Sequence, residues 1–247
     1  MHLLICFALK EEAAPFQKMA AGKAGISILL TGIGRKNAEK SVREFLNSRR
    51  SRGNETQNKN ILETPHVVSY DPNLVLTCGF AGGLNPDLKL GEVIFELMDR
   101  RGEFHEPQTE KKIGDSQSSP LREKLFTAGA KPARFFCADQ IATSVAEKER
   151  LRTETGADAV EMESAAIHAV CAERGIPCAT VRVVSDTAGE DLPLDFNALA
   201  KPDQSLDFGK LAWAIAKSPG KIGALMRLQN KTKFAAEQLA AVLEKLI

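Results

Sequence analysis

The sequence predicts an α/β protein with a mixed or largely parallel central sheet and helices on its faces. Three observations predict it. Short apolar runs of strand length recur through the chain, near-continuous as in strands covered on both faces. Stretches with helical spacing of apolar residues stand between several of these runs, the alternation that builds such sheets. Finally, 43% of the 247 residues are hydrophobic, enough to bury a substantial core in one domain covering 1–247.

Residues 2–8 form the first strand, and the glutamate- and alanine-rich stretch behind them suits a helix. Residues 26–30 form a second strand that runs into Gly32-Ile33-Gly34. Ala38, Val42, Phe45 and Leu46 then recur at helical spacing, so a helix starts just after the glycines. Residues 48–60 are mostly Arg, Ser, Asn, Gln and Lys, and read as a solvated excursion inside the domain. The sheet resumes at 74–78 and, after the Asn85-Pro86-Asp87 turn, at 91–97; 99–119 is polar and loop-like. Strands follow at 133–137 and 157–160, with a helix at 147–155 between them. Residues 164–174 form a helix that ends at Gly175, a left-handed C-terminal residue ahead of Pro177. Residues 178–184 are one more buried strand.

The tail, 206–247, adds helices. Phe208, Leu211 and Ile215 share a face, and Ser218-Pro219-Gly220 breaks it. Ile222, Leu225 and Met226 form a second stripe; Phe234, Leu239, Val242, Leu243 and Leu246 form a third. Such stripes are usually core or subunit-contact faces, with a membrane-surface role as the alternative for this basic amphipathic tail.

Lys and Arg number 33 against 32 Asp and Glu, so no global field argues for nucleic acid or an anionic membrane. Cys6, Cys78, Cys137, Cys171 and Cys178 are scattered through apolar runs without CxxC spacing. They read as reduced thiols of a cytoplasmic protein, not as a disulfide framework or a metal site. The first residues lack the pattern of a signal peptide, and no apolar run is long enough to span a bilayer.

Chemistry concentrates in two segments. Val160-Glu161-Met162-Glu163-Ser164 sets two glutamates two residues apart, where a strand meets a helix. Residues i and i+2 of a strand share a side, so Glu161 and Glu163 face one way and Met162 the other. Val181-Arg182-Val183-Val184-Ser185-Asp186 then ends a buried strand on an aspartate. Acids at strand ends of α/β proteins lie in the ligand-binding crevice. Taken alone, each has an ordinary alternative: acids at a helix start complement its dipole, and Asp186 suits an N-cap. Gly32-Ile33-Gly34 is weak evidence for a dinucleotide, because Asn37 occupies the third glycine position.

Together with Thr31-Gly32-Ile33-Gly34 and Cys78-Gly79-Phe80-Ala81-Gly82-Gly83-Leu84, these segments resemble the nucleoside phosphorylase/nucleosidase superfamily. The likeness is to methylthioadenosine/S-adenosylhomocysteine nucleosidases and their hopanoid-associated relatives, and it runs from the N-terminus to about residue 199. The resemblance implies a three-layer α/β/α phosphorylase-like fold and cleavage of an N-glycosidic bond to a purine. Such cleavage leaves an oxocarbenium-like sugar and an anionic base, and needs an acid at the base, anionic groups at the sugar and an activated nucleophile. By resemblance Asp186, beside Ser185, protonates the purine N7. Glu163 accepts from the ribose 2′-hydroxyl, with Glu161 supporting it and Met162 packing on the sugar or base. Glu12, with Glu11 as its neighbouring competitor, activates the attacking water, and Arg182 helps place both. Arg182, flanked by valines, needs a buried partner, for which Glu12 is the choice. The purine packs over Phe80, Ala81 and Gly82, and the turn at Gly34 offers backbone amides.

Two departures matter. In Cys137-Ala138-Asp139-Gln140-Ile141, Gln140 stands where the nucleosidases carry an aromatic residue against adenine, with Ile141 as the matching apolar neighbour. Leu74 stands where the phosphorylases hold phosphate with an arginine, although Thr77 keeps a hydroxyl and Arg35 follows the glycine turn. Hydrolysis is therefore favoured over phosphorolysis, and a nucleoside-binding scaffold without catalysis is the third reading. The tail resembles that of the hopanoid-associated members, whose substrate is adenosylhopane. No metal or cofactor is implied, phosphate being a co-substrate only for a phosphorylase. The expected partners are a small nucleoside and further copies of the chain, as a homodimer or higher homo-oligomer.

Overall fold

The computed structural model describes residues 2–48, 61–63, 72–97, 120–201, 209, 210, 217 and 219–247. Most of the polar excursion at 48–60, the polar 99–119 stretch, and the Phe208, Leu211 and Ile215 stripe lie outside them.

The sheet grows outward from the first strand. Strand β1 (Leu3–Phe7) lies between β2 (Ile26–Leu30) and β4 (Leu74–Gly83), parallel to both. Its side chains alternate between two cores. Leu3, Ile5 and Phe7 enter one with Phe16 and Leu239, while Leu4 and Cys6 enter the other with Val42, Phe45 and Ile167. That double burial is why the run is apolar at every position.

Beyond β4 the sheet continues with β9 (Cys178–Asp186) in parallel, then β5 (Val93–Leu97) antiparallel to β9, then β6 (Lys131–Pro132). At the other edge, β3 (Ile61–Glu63) pairs antiparallel with β2. The short β8 (Ala159–Glu161) joins the far end of β4 and carries β7 (Phe135–Cys137). Among the described residues, nine strands thus make one mixed sheet.

Helices cover both faces. α1 (Lys10–Ala20) packs with the C-terminal helix α6 (Ile222–Glu244) on one face; α2 (Arg35–Ser48) packs with α5 (Ser164–Ala172) on the other. α3 (Pro120–Ala128) and α4 (Val145–Thr155) are further helices among the described residues. α5 ends at Ala172, two residues before the expected 174, and Gly175 is left-handed as expected, at φ 64°.

Three expectations change. The glycines after Cys78 continue β4 to Gly83: it stays paired with β9 through a register shift at Ala81/Gly82, and β8 pairs with Gly82 and Gly83 beyond the end of β1. The second and third tail stripes belong to one 23-residue helix, because no Gly or Pro interrupts 224–244. Its C-terminal half is core, through Ala235, Ala236, Leu239, Ala240 and Leu243, whereas Ile222, Met226 and Phe234 are exposed. An edge strand at 61–63 also stands beside the excursion, where the sequence suggested none.

Among the described residues, no helix is long and apolar enough to cross a membrane. All five cysteines are free thiols.

Candidate active site

β1, β2, β4 and β9 run parallel, so their carboxyl ends open on one side of the sheet, where a crevice forms in such folds. Each end delivers a polar group there. β9 carries Arg182, which is 1% exposed. The expected partner, Glu12, is not the one it takes. Arg182 Nη2 instead donates to Glu161 Oε2 at 2.5 Å and Glu163 Oε2 at 3.2 Å, from the end of β8 and the start of α5. The β8–α5 corner brings both carboxylates to the sheet, whereas Glu12 is taken by amides. Thr77 Oγ1 accepts from Nη2 at 3.1 Å, and the Cys78 carbonyl from Nη1 at 3.2 Å. Nε is buried without a hydrogen-bond partner among the described residues.

Glu161 is the structural acid of the pair. It accepts from the Glu163 amide at 3.0 Å, the Ser164 amide at 2.8 Å and the Ser164 hydroxyl at 2.5 Å. Burial works against its charge, but Arg182 and these donors outweigh it and hold it below the ordinary carboxylate range. Glu163 has fewer supports: the Gly34 amide at 2.8 Å and the longer arm of Arg182. Burial pushes it up to about 7, with Arg182 opposing and Glu161 adding to the rise. The Gly34 amide therefore serves Glu163.

Glu12 and the guanidinium meet over Gly79, both next to the space a Cβ there would fill. It reaches back from the first turn of α1 to the Leu9 amide (2.9 Å), half of a capping box, and accepts from the Phe80 amide (2.9 Å). Burial raises its pKa, against Arg182 and the amides, so this carboxylate is poised to take a proton. Glu11, its neighbour, is exposed. Gly79, at φ +144°, allows the arrangement: a Cβ there would sit 2.7 Å from Arg182 Nη1 and 2.8 Å from Glu12 Oε1.

Asp186 ends β9, buried. Ser185 Oγ donates to its Oδ2 at 2.8 Å and approaches the Ala81 carbonyl at 3.3 Å. Oδ1 accepts from Lys148 Nζ, which also donates to the Thr187 carbonyl at 2.8 Å and the Glu190 carbonyl at 2.9 Å. Lys148 was missed. It lies on the inward stripe of α4 between Val145 and Leu151, and a lysine interrupting such a stripe was the available signal.

Phe80 and Gly82, half-buried, and the buried Ala81 line β4 up to the β8 junction, and Gly82 abuts the Asp186 carboxylate. Met162 is half-buried between the two glutamates. Ile141 follows β7, its amide and carbonyl clamped by the Asn197 side chain at 2.9 and 2.8 Å; Gln140 beside it is exposed. Arg35, the residual anion ligand of the sequence, binds the Cys137 carbonyl and faces Asp139 at 3.4 Å. Leu74 packs against the core at the far end of β4. Among the described residues, no group of three or more His, Cys, Asp or Glu is arranged to hold a metal ion.

Comparison with known proteins bears on the family and the fold. The Phosphorylase superfamily profile matches residues 11–216. The chain is 28% identical to an aminodeoxyfutalosine nucleosidase of Helicobacter pylori, a match covering 55% of this chain and 64% of that one. It is also 28% identical to a 5′-methylthioadenosine/S-adenosylhomocysteine nucleosidase of Shewanella halifaxensis, over 56% of this chain and 66% of the other. Both matches thus span just under two thirds of the relative's own length. In three dimensions the chain is similar to futalosine hydrolase of Helicobacter pylori, with TM-score 0.62 at 19% identity, covering 100% of this chain and 97% of that one.

Proposed function

Because this chain belongs to the Phosphorylase superfamily, we propose that it hydrolyses the N-glycosidic bond of a purine nucleoside. The substrate class is a 5′-modified adenosine, of the methylthioadenosine/S-adenosylhomocysteine or adenosylhopane kind. The observation that carries the reading is the convergence of Glu12 and Arg182 on the space a Cβ of Gly79 would fill, with Glu163 on the same guanidinium. Three acids around one buried cation form an anionic wall suited to a sugar that becomes cationic.

In this reading the purine packs over Phe80, Ala81 and Gly82, with Met162, Gln140 and Ile141 around it. Asp186 transfers a proton to N7 as the bond from C1′ to the base breaks, so the base leaves neutral. Glu163 accepts from the 2′-hydroxyl and, ionised, offsets the charge spreading over C1′ and the ring oxygen. Glu12 takes a proton from the water that attacks C1′, and Arg182 orients Glu161 and Glu163 around it. The products are the free base and a reducing sugar. The scheme uses no metal or cofactor, and the names of the two nucleosidase relatives support it.

Product identity tests the reading. With 5′-methylthioadenosine in phosphate buffer, mass analysis should find the free sugar and adenine, formed at a rate indifferent to phosphate. A dominant sugar 1-phosphate would replace hydrolysis by phosphorolysis and move attention to Arg35. Binding without turnover would leave a nucleoside-binding scaffold.

A further inference from the structure

Two side-chain cations are almost wholly withdrawn from solvent among the described residues, Arg182 and Lys148. The proposed mechanism employs the first and leaves the second without a task. Lys148 is 0% exposed. Its ammonium has three protons, and all three meet oxygens: Asp186 Oδ1 and the carbonyls of Thr187 and Glu190. A buried lysine is costly to desolvate, and a merely structural link between α4 and the turn after β9 needs no charge. This charge is spent on one carboxylate.

We propose that Lys148 is a positioning residue for Asp186, one that also balances the negative charge left on that carboxylate when its proton has gone to the purine. With Ser185 on Oδ2 and Lys148 on Oδ1, both carboxylate oxygens are fixed, and the strand end cannot swing its acid away from the base. The two carbonyls lock the ammonium to the turn at Thr187 to Glu190, and the Glu190 carboxylate is itself paired with Lys231 of α6. The acid is thereby braced from α4 and, through Glu190, from the C-terminal helix. The inference rests on Asp186 being the acid of the proposed function.

The test separates a helper of leaving-group departure from a simple fold support. Lys148→Met is assayed on 5′-methylthioadenosine and on 4-nitrophenyl β-D-riboside, whose phenolate leaves without needing a proton. Turnover of the nucleoside should fall roughly 10- to 100-fold, as for a misplaced catalytic group. Its KM should stay within about threefold, and the nitrophenyl riboside should lose no more than about threefold. Equal losses on both substrates, or no loss on the nucleoside, overturn the proposal.

The second arm is the pair Asp186→Asn and Asp186→Asn/Lys148→Met. The double variant buries no unpaired charge, so it folds even if Lys148→Met does not. If Lys148 acts through Asp186, the double variant is no slower on the nucleoside than Asp186→Asn alone; losses that multiply refute it. Wild-type protein that releases base from neither compound would sink the functional reading itself, a different result from any the variants give.

Discussion

Replacing Gly79 by alanine tests the geometry of the site more sharply than removing any of its charges. The new Cβ would stand 2.7 Å from Arg182 Nη1 and 2.8 Å from Glu12 Oε1, where ordinary van der Waals contact begins near 3.4 Å. Side-chain ends can often swing aside, but neither of these is free. The guanidinium is held by Glu161, Glu163, Thr77 and the Cys78 carbonyl, and Glu12 by two amides. A φ of +144° adds backbone strain of about 1–3 kcal/mol for a residue with a Cβ. Losing one charge-assisted hydrogen bond adds roughly 1.5–3 kcal/mol. A total of about 2.5–6 kcal/mol lowers the unfolding midpoint by roughly 5–24 °C in a chain of this size. Because the displaced groups are those proposed to activate and orient water, turnover should fall on the order of 100-fold. Gly22→Ala is the control: φ is +81°, yet nothing lies within 4 Å, so strain appears without a clash. Calorimetry and adenine release are read on both variants. If Gly79→Ala loses no more stability than Gly22→Ala and keeps turnover within about threefold, the described convergence of Glu12 and Arg182 on Gly79 is wrong.

Asp186→Asn keeps the shape of the strand end and removes the proton, so turnover should fall roughly 10²- to 10⁴-fold while substrate binding, measured by calorimetry, survives. Glu163→Gln should damage ribonucleoside cleavage far more than cleavage of the 2′-deoxy analogue; equal losses place the 2′-hydroxyl contact elsewhere. With Glu163 pushed up to about 7 by burial, kcat/KM should rise with pH through about 7 as this acid ionises, and Glu163→Gln should lose that limb. The same shift sets a stability trend: between the ordinary carboxylate range and about pH 7 the folded chain keeps a proton that the unfolded chain has released. Folding stability from this group is therefore full at acid pH and declines as pH rises to about 7, then levels; in urea titrations the slope of stability against pH should differ between wild type and Glu163→Gln in that window alone, and the offset reached there should persist above it.

Much of this was legible because it follows from period and position. The double-faced burial of β1 shows as an unbroken apolar run, and Glu161 and Glu163 two apart at a strand end do meet on one guanidinium. What stayed hidden depends on distant partners. Glu12 and Glu161 are both buried acids near Arg182, and sequence spacing does not say which one the cation grips. The β8–α5 corner decides it by supplying Glu161 with two amides and a hydroxyl. Lys148 was hidden by composition: α4 is rich in charge, and lysine belongs on solvated faces in most proteins. Only the turn after β9, which brings two carbonyls and Asp186 to the same point, makes its burial tolerable. The continuation of β4 through its glycines was hidden for a similar reason, since the pairing with β8 is a tertiary event.

The two ends of the site are charged differently, and that asymmetry fits the proposed chemistry. At the sugar end one guanidinium faces Glu161, Glu163 and Glu12. With a single cation shared, Glu161 takes the close contact and is held ionised, while burial drives Glu163 and Glu12 toward taking up protons. Such acids respond to a neighbouring positive charge: as the sugar becomes cationic, the ionised form of Glu163 is favoured at the moment it is useful, and Glu12 is basic enough to accept a proton from water. At the base end Asp186 and Lys148 are bound to each other, their remaining donors and acceptors satisfied by Ser185 and two carbonyls, and the ammonium neutralises the carboxylate once its proton has gone to the purine. The departing purine therefore leaves no uncompensated anion behind it. A phosphorylase would need the reverse at the sugar end, a cationic surplus to seat a phosphate next to C1′. With Leu74 packed in the core and Arg35 committed to the Cys137 carbonyl and Asp139, that end is anionic among the described residues, and an anionic wall admits water more readily than phosphate.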